Sequence, residues 1–214
     1  MLLNDENIRK LCVFDEEIGG QRRFLVPFAD AFQGREVISY GLSHAGYDFR
    51  LGNELWVFKN SYGTMINPKL FKHEGYRKKL FDIVYPGAFI PIDADLNMEH
   101  VANAYIIPAH SYALGVTLEH IDVPTNLKGR CVGKSTLARC GILINTTPLE
   151  PGWRGYLTLE ISNITPCPAV IFAGEGIAQL EVEHLIAPPK VDYDAKDGKY
   201  QDQGAAPVPA RTKQ

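Results

Sequence analysis

The chain has 214 residues, 45% hydrophobic and 22% charged, with a formal charge of -3. That length and apolar content suit one domain with its own core, and exclude a chain that stays unfolded. The slight acidic excess excludes the basic surface that a polymeric nucleic-acid partner needs. No apolar run is long enough to span a bilayer. Acids also interrupt the opening "MLLNDENIRKLCVFDEE" where a secretory signal needs an apolar segment, so the expected compartment is the cytoplasm and no membrane partner is expected.

In chain order, "LNDENIRKL" offers Asn or Asp at an N-cap followed by apolar residues at helical spacing, and predicts a short N-terminal helix. From "VISYGL" onward the signals turn to short β-rich runs separated by Gly, Pro and Asn. They are "ELWVF", "FIPID", "AYIIP", "SYALGVTLEHIDV", "GILINT", "GYLTLEIS", "AVIFA" and "IAQLEVEHL". Strands at such short intervals predict an all-β barrel or jelly roll. Residues 68–93 carry a basic cluster and read as a surface insertion. Residues 1–189 form the single predicted domain. Beyond it the chain turns polar and rich in Gly and Pro, so 190–214 is expected to be a flexible tail.

Cysteines 12, 131, 140 and 167 are scattered without a C-x-x-C pair, and the six histidines never fall at a paired ligand spacing. The signature of zinc deaminases, H-x-E followed by P-C-x-x-C, is absent from the sequence. "GKST" ends like a phosphate-binding P-loop, but that motif requires Gly where Lys128 stands, which rejects it. Taken alone, "VGKSTLARCG" reads as a polar turn between strands. The alternation of "YLTLE" puts Glu160 on the same strand face as Thr158 and Tyr156, and a solvent-facing Glu on an edge strand would be unremarkable there.

The combination is more specific. "GKSTLARCGILINTTPLEPGWRGYLTLEISN" resembles the central signature of the dCTP deaminases, R/K-S-S/T-x-A-R-x-G followed by a hairpin with D/E-P-x-W/F-x-G and then T-L-E. Upstream, "ISYGLSHAGYDFRLG" is similar to the family's S-x-G-Y-D-x-R segment. Downstream, "GEGIAQL" and "DGKYQDQG" are similar to its closing motifs. The resemblance implies a distorted jelly-roll or β-clip barrel of the trimeric dUTPase type, assembled as a homotrimer with sites between subunits, each closed by residues 190–214 as a lid. It implies deamination of dCTP to dUTP and ammonia in pyrimidine deoxynucleotide metabolism, and leaves open whether dTTP acts as a feedback inhibitor.

Carried over residue by residue, it puts nucleotide contacts on Lys134, Ser135, Thr136, Leu137, Ala138 and Arg139, on Thr158, Leu159 and Glu160, and on Gln179, Tyr193, Lys199 and Gln203. Glu160 becomes the catalytic carboxylate and general acid/base, with Ser135 and Arg139 orienting the water. The expected cofactor is Mg2+ held through the triphosphate, without zinc. Glu150 stands where related dUTPases have an aspartate, which keeps a bifunctional enzyme forming dUMP open. A trimeric nucleotide-binding protein without catalysis is the other alternative. Lys134 replaces the arginine of many relatives, keeping the charge without the bidentate geometry.

Overall fold

Helix α1 (Asp5–Cys12) forms where expected, with Asp5 and Glu6 in its first turn and Arg9 and Lys10 in its last, each sign complementing the helix dipole. The Asn4 side chain caps it by accepting from Asn7 N at 3.1 Å, while Ile8 and Cys12 are buried against the sheets. The computed structural model describes residues 1–12, 23–30, 37–59, 65–89 and 101–209. Of the expected elements, "FIPID" lies mostly outside these residues, as do the last residues of the tail.

The remainder is mainly β, a distorted jelly roll of three sheets. The strands are β1 (Leu25–Val26), β2 (Gly41–Ser43), β3 (Gly46–Arg50), β4 (Leu55–Phe58), β5 (Phe81–Val84), β6 (Gly87–Phe89), β7 (Val101–Ile107), β8 (Ser111–Asp122), β9 (Leu127–Gly133), β10 (Ile142–Asn145), β11 (Arg154–Asn163), β12 (Ala169–Phe172) and β13 (Gly176–His184). One sheet has the order β10-β11-β8-β4-β5 with β1 added on β8, the second β2-β3-β13-β9, and the third β12-β7-β6. A short 3-10 turn (Pro68–Leu70) and α2 (Glu74–Leu80) lead into β5, so part of the expected surface insertion extends the first sheet by pairing with β4.

The longest pairing joins β8 to β11, from Asn163↔Ser111 to Arg154↔Asp122, with an irregularity between Tyr156 and Thr158. There the Leu157 amide donates to Thr117 Oγ1 at 3.0 Å, and that hydroxyl donates to the Glu119 carbonyl at 2.7 Å. Burial alternates along β11, with Leu157, Leu159 and Ile161 inward and Tyr156, Thr158 and Glu160 on the half-exposed face, as the sequence pattern predicts.

Arg50 and the fully buried Glu119 tie β3 to β8. Arg50 Nε lies 2.6 Å from Glu119 Oε1, and the Arg50 amide donates to Oε2 at 3.1 Å. The remaining guanidinium donors reach Tyr40 Oη at 2.8 Å and the Pro27 carbonyl at 2.9 Å. Burial pushes the Glu119 carboxyl above the usual range, with Arg50 pulling it back. The arginine of "GYDFR" is thus a core tie.

Candidate active site

The expected site residues fall into two groups on different sheets. In the first, β9 runs out at Gly133, Lys134 takes an extended conformation, and α3 (Ser135–Arg139) follows. Leu137 is buried and anchors this short helix, so only its backbone is available to a ligand. Ser135, Thr136, Ala138 and Arg139 are exposed. Lys134 Nζ meets both oxygens of Asp48 on β3, at 2.8 and 3.0 Å, and Ser39 Oγ donates to the same carboxylate. Gln179 on β13 sits in register between Asp48 of β3 and Val132 of β9, and its amide donates to Ser43 Oγ at 3.2 Å. Lys134, Asp48 and Gln179 therefore share one end of the four-stranded sheet.

The second group lies on the six-stranded sheet. Glu160 stands in register between Asn145 of β10 and Leu114 of β8, and Asn145 Nδ2 donates to Glu160 Oε2 at 2.6 Å. Tyr112 of β8 is close enough that, after burial, the Glu160 charge raises its phenol. Thr158, Glu160, Tyr193, Tyr200, Gln203 and Glu150 line one cavity of about 1420 Å³, whose lining also includes Phe58, Phe71 and Phe81. Its size leaves room for a nucleotide and for protein groups from elsewhere. Leu159 is fully buried beneath this face.

The tail reaches this group by polar contacts. Gln203 Nε2 donates to Thr158 Oγ1 at 2.6 Å, its carbonyl accepts from Tyr156 N at 3.0 Å, and Gln203 bridges Gly155 in parallel. Gly155, the second glycine of "GWRG", has φ +139, and a Cβ there would sit 2.7 Å from Gln203 N, so any side chain would evict the tail. Gly198 is required in the same way because the Tyr193 ring lies against it. Tyr193 N donates to Pro151 O at 2.9 Å, Trp153 Nε1 to Tyr200 O at 3.0 Å, and the buried Gln201 side chain donates to Gly152 O at 3.0 Å. Arg154 pairs with Asp202 on the outer side.

The structure thus brings Thr158, Glu160, Tyr193 and Gln203 together, and separately Lys134 with Gln179. None of residues 134–139 lines the Glu160 cavity, nor does the exposed Lys199. Glu150 lines it and pairs with Lys128 at 3.4 Å. Sequence reasoning missed Asp48, Ser39 and Asn145. Asp48 stood in the recognised "GYDFR" segment, whereas Asn145 carried no signal apart from preceding the "TTPLEPGW" turn.

The family model for dCTP deaminase-like proteins matches residues 32–185. A dCTP deaminase of Campylobacter concisus is 39% identical over 208 residues, covering 97% of each chain. One of Herpetosiphon aurantiacus is 43% identical over 183 residues, covering 86% of this chain and 88% of its own. A solved 2'-deoxycytidine 5'-triphosphate deaminase from Agrobacterium tumefaciens superposes with a TM-score of 0.52 at 18% identity over 86% of this chain. The match spans 48% of that longer protein, and the likeness is one of fold.

Proposed function

The chain belongs to the dCTP deaminase family, and from that premise we propose that it hydrolyses dCTP to dUTP and ammonia, with Glu160 cycling the protons, in the cytoplasm. The observation that carries this reading is a carboxylate on the wall of a cavity with room for a nucleotide, held by a neutral amide and flanked by hydroxyl and amide groups that suit a base.

In the proposed reaction Glu160 takes a proton from water as the oxygen bonds to C4, and passes it to N3. The resulting tetrahedral carbon carries both hydroxyl and amine. Glu160 then moves the hydroxyl proton to the amine, the C4–N4 bond breaks, and ammonia leaves a C4 carbonyl. Ser135 and Arg139 would orient the water and offset developing charge. Since neither lines the Glu160 cavity of its own chain, the reading requires a homotrimer in which a neighbouring subunit supplies them. The exposed, outward-facing helix α3 supports this.

Lys134, Thr136 and Arg139 would hold the triphosphate, with Gln179 beside them and Lys199 brought in by the tail. Magnesium, which favours phosphate oxygens and water, suits a half-site whose acid, Asp48, is already paired with Lys134. When bound it would neutralise phosphate charge. Tyr193 and Gln203 would close the pocket over the base and exclude water.

The test is to incubate the purified protein with dCTP and Mg2+ and identify nucleotide and ammonia. One dUTP and one ammonia per dCTP are expected. Accumulation of dUMP and pyrophosphate would favour the bifunctional reading, for which Glu150 on the same cavity is the candidate. Tight dCTP binding without ammonia would favour the binding protein.

A further inference from the structure

We propose that Asn145 is a positioning residue for Glu160, fixing Oε2 so that Oε1 alone carries protons between water, N3 and the departing amine. This rests on the deaminase reading and adds a residue to it. The two side chains face each other across the β10–β11 ladder in direct register, where side chains of opposed residues come within reach. The 2.6 Å contact is short for an amide donor, as a charge-assisted bond should be.

The choice of an amide has a chemical consequence. An oxygen that accepts an N–H is the poorer base of the carboxylate, so the proton goes to the other oxygen, which has no hydrogen-bond partner among the described residues. A neutral donor does this at every pH. A lysine or arginine in its place would hold the carboxylate ionised, and a histidine would change state within the working range. The amide also stops carboxylate rotation, so proton pick-up and delivery use one atom in one direction. Asn145 sits on an edge strand with an exposed side chain, so its replacement should leave the core intact.

The other titratable groups facing this cavity are Tyr112 of β8, Glu150 of the β10–β11 connection, His110 before β8, Lys69 and Lys72 near the 3-10 turn, and Tyr193 and Tyr200 of the tail. All are unchanged in position-145 variants, so differences between variants isolate the Asn145 contact.

The experiment measures kcat, KM and their pH dependence for Asn145→Ala, Asn145→Asp and Asn145→Gln, alongside melting temperature. Asn145→Ala should lower kcat about tenfold with KM within about threefold and the melting temperature unchanged. Asn145→Asp should lower kcat further, because a carboxylate in place of the amide repels Oε2 instead of holding it. Asn145→Gln should recover part of the loss. An Asn145→Ala or Asn145→Asp kcat within twofold of wild type overturns the proposal. Wild-type protein that releases no ammonia would instead remove the deaminase reading itself, and this role with it.

Discussion

On the four-stranded sheet Lys134 meets Asp48 at 2.8 Å with Ser39 on the same carboxylate, whereas on the six-stranded sheet Glu160 meets the neutral amide of Asn145 and, among the described residues, no cation. The first arrangement keeps a charge oriented by pairing it, which suits a group that must bind and remain ionised. The second leaves the carboxylate, among the described residues of its own chain, without a paired cation that would oppose proton uptake, and in the proposed assembly Arg139 reaches it only from a neighbouring subunit. Under the proposed reaction, one half holds the substrate and the other transfers protons. The tail belongs to the transfer half, where Gln203 reaches Thr158, two residues from Glu160.

The sharpest way to break this division is Glu160→Gln, which keeps shape and hydrogen bonding but cannot cycle a proton. Ammonia release should fall by about a thousandfold or more while dCTP binding, read by calorimetry, stays within about threefold. Near-normal turnover would end the assignment. The next largest effect tests whether the halves of one site belong to different chains. Glu160→Gln and Arg139→Ala should each be inactive alone. Dissociated, mixed in equal amounts and reassembled, they should regain about a quarter of wild-type activity, because in a cyclic assembly that fraction of interfaces pairs an intact Glu160 with an intact Arg139. No recovery above the unmixed variants would put both residues in one chain's site. The smallest expected effect is truncation after Pro189, which should lower kcat/KM by about ten- to a hundredfold without unfolding the domain. Full kcat/KM in the truncated protein would take Tyr193, Lys199 and Gln203 out of the site.

The alternation of "YLTLEIS" suffices to place Glu160 and Thr158 on one face of β11, and the apolar runs behind β4, β8, β10, β12 and β13 are plain. These are local patterns. The separation of residues 134–139 from Glu160 is not local, since it depends on which sheet each segment joins. The Lys134–Asp48 pair spans 86 residues and the Asn145–Glu160 bond crosses a turn with its register set by β-pairing, so neither has a periodicity to read. β5 was hidden because Phe81 and Val84 follow a basic stretch that looks solvated. The tail's course along β11 escapes a reading by apolar content for a related reason. It is held by Gln201, Gln203, Trp153 and backbone groups, with little apolar side-chain burial.

The topology of the four-stranded sheet sets the order in which the protein can be made. β13 lies between β3 and β9, although among the described strands it is the last to leave the ribosome. Gln179 must find Ser43, 136 residues earlier. At ordinary translation speeds β3 waits on the order of ten seconds for that neighbour. β3 presents a bare edge throughout that interval and β9 from its completion at Gly133, so a nascent chain stalled between Gly133 and Gly176 would offer both to other strands. Ribosome stalling or nonsense truncation in that window should therefore yield aggregates, with the holding half of the site the last part of the sheet to become whole.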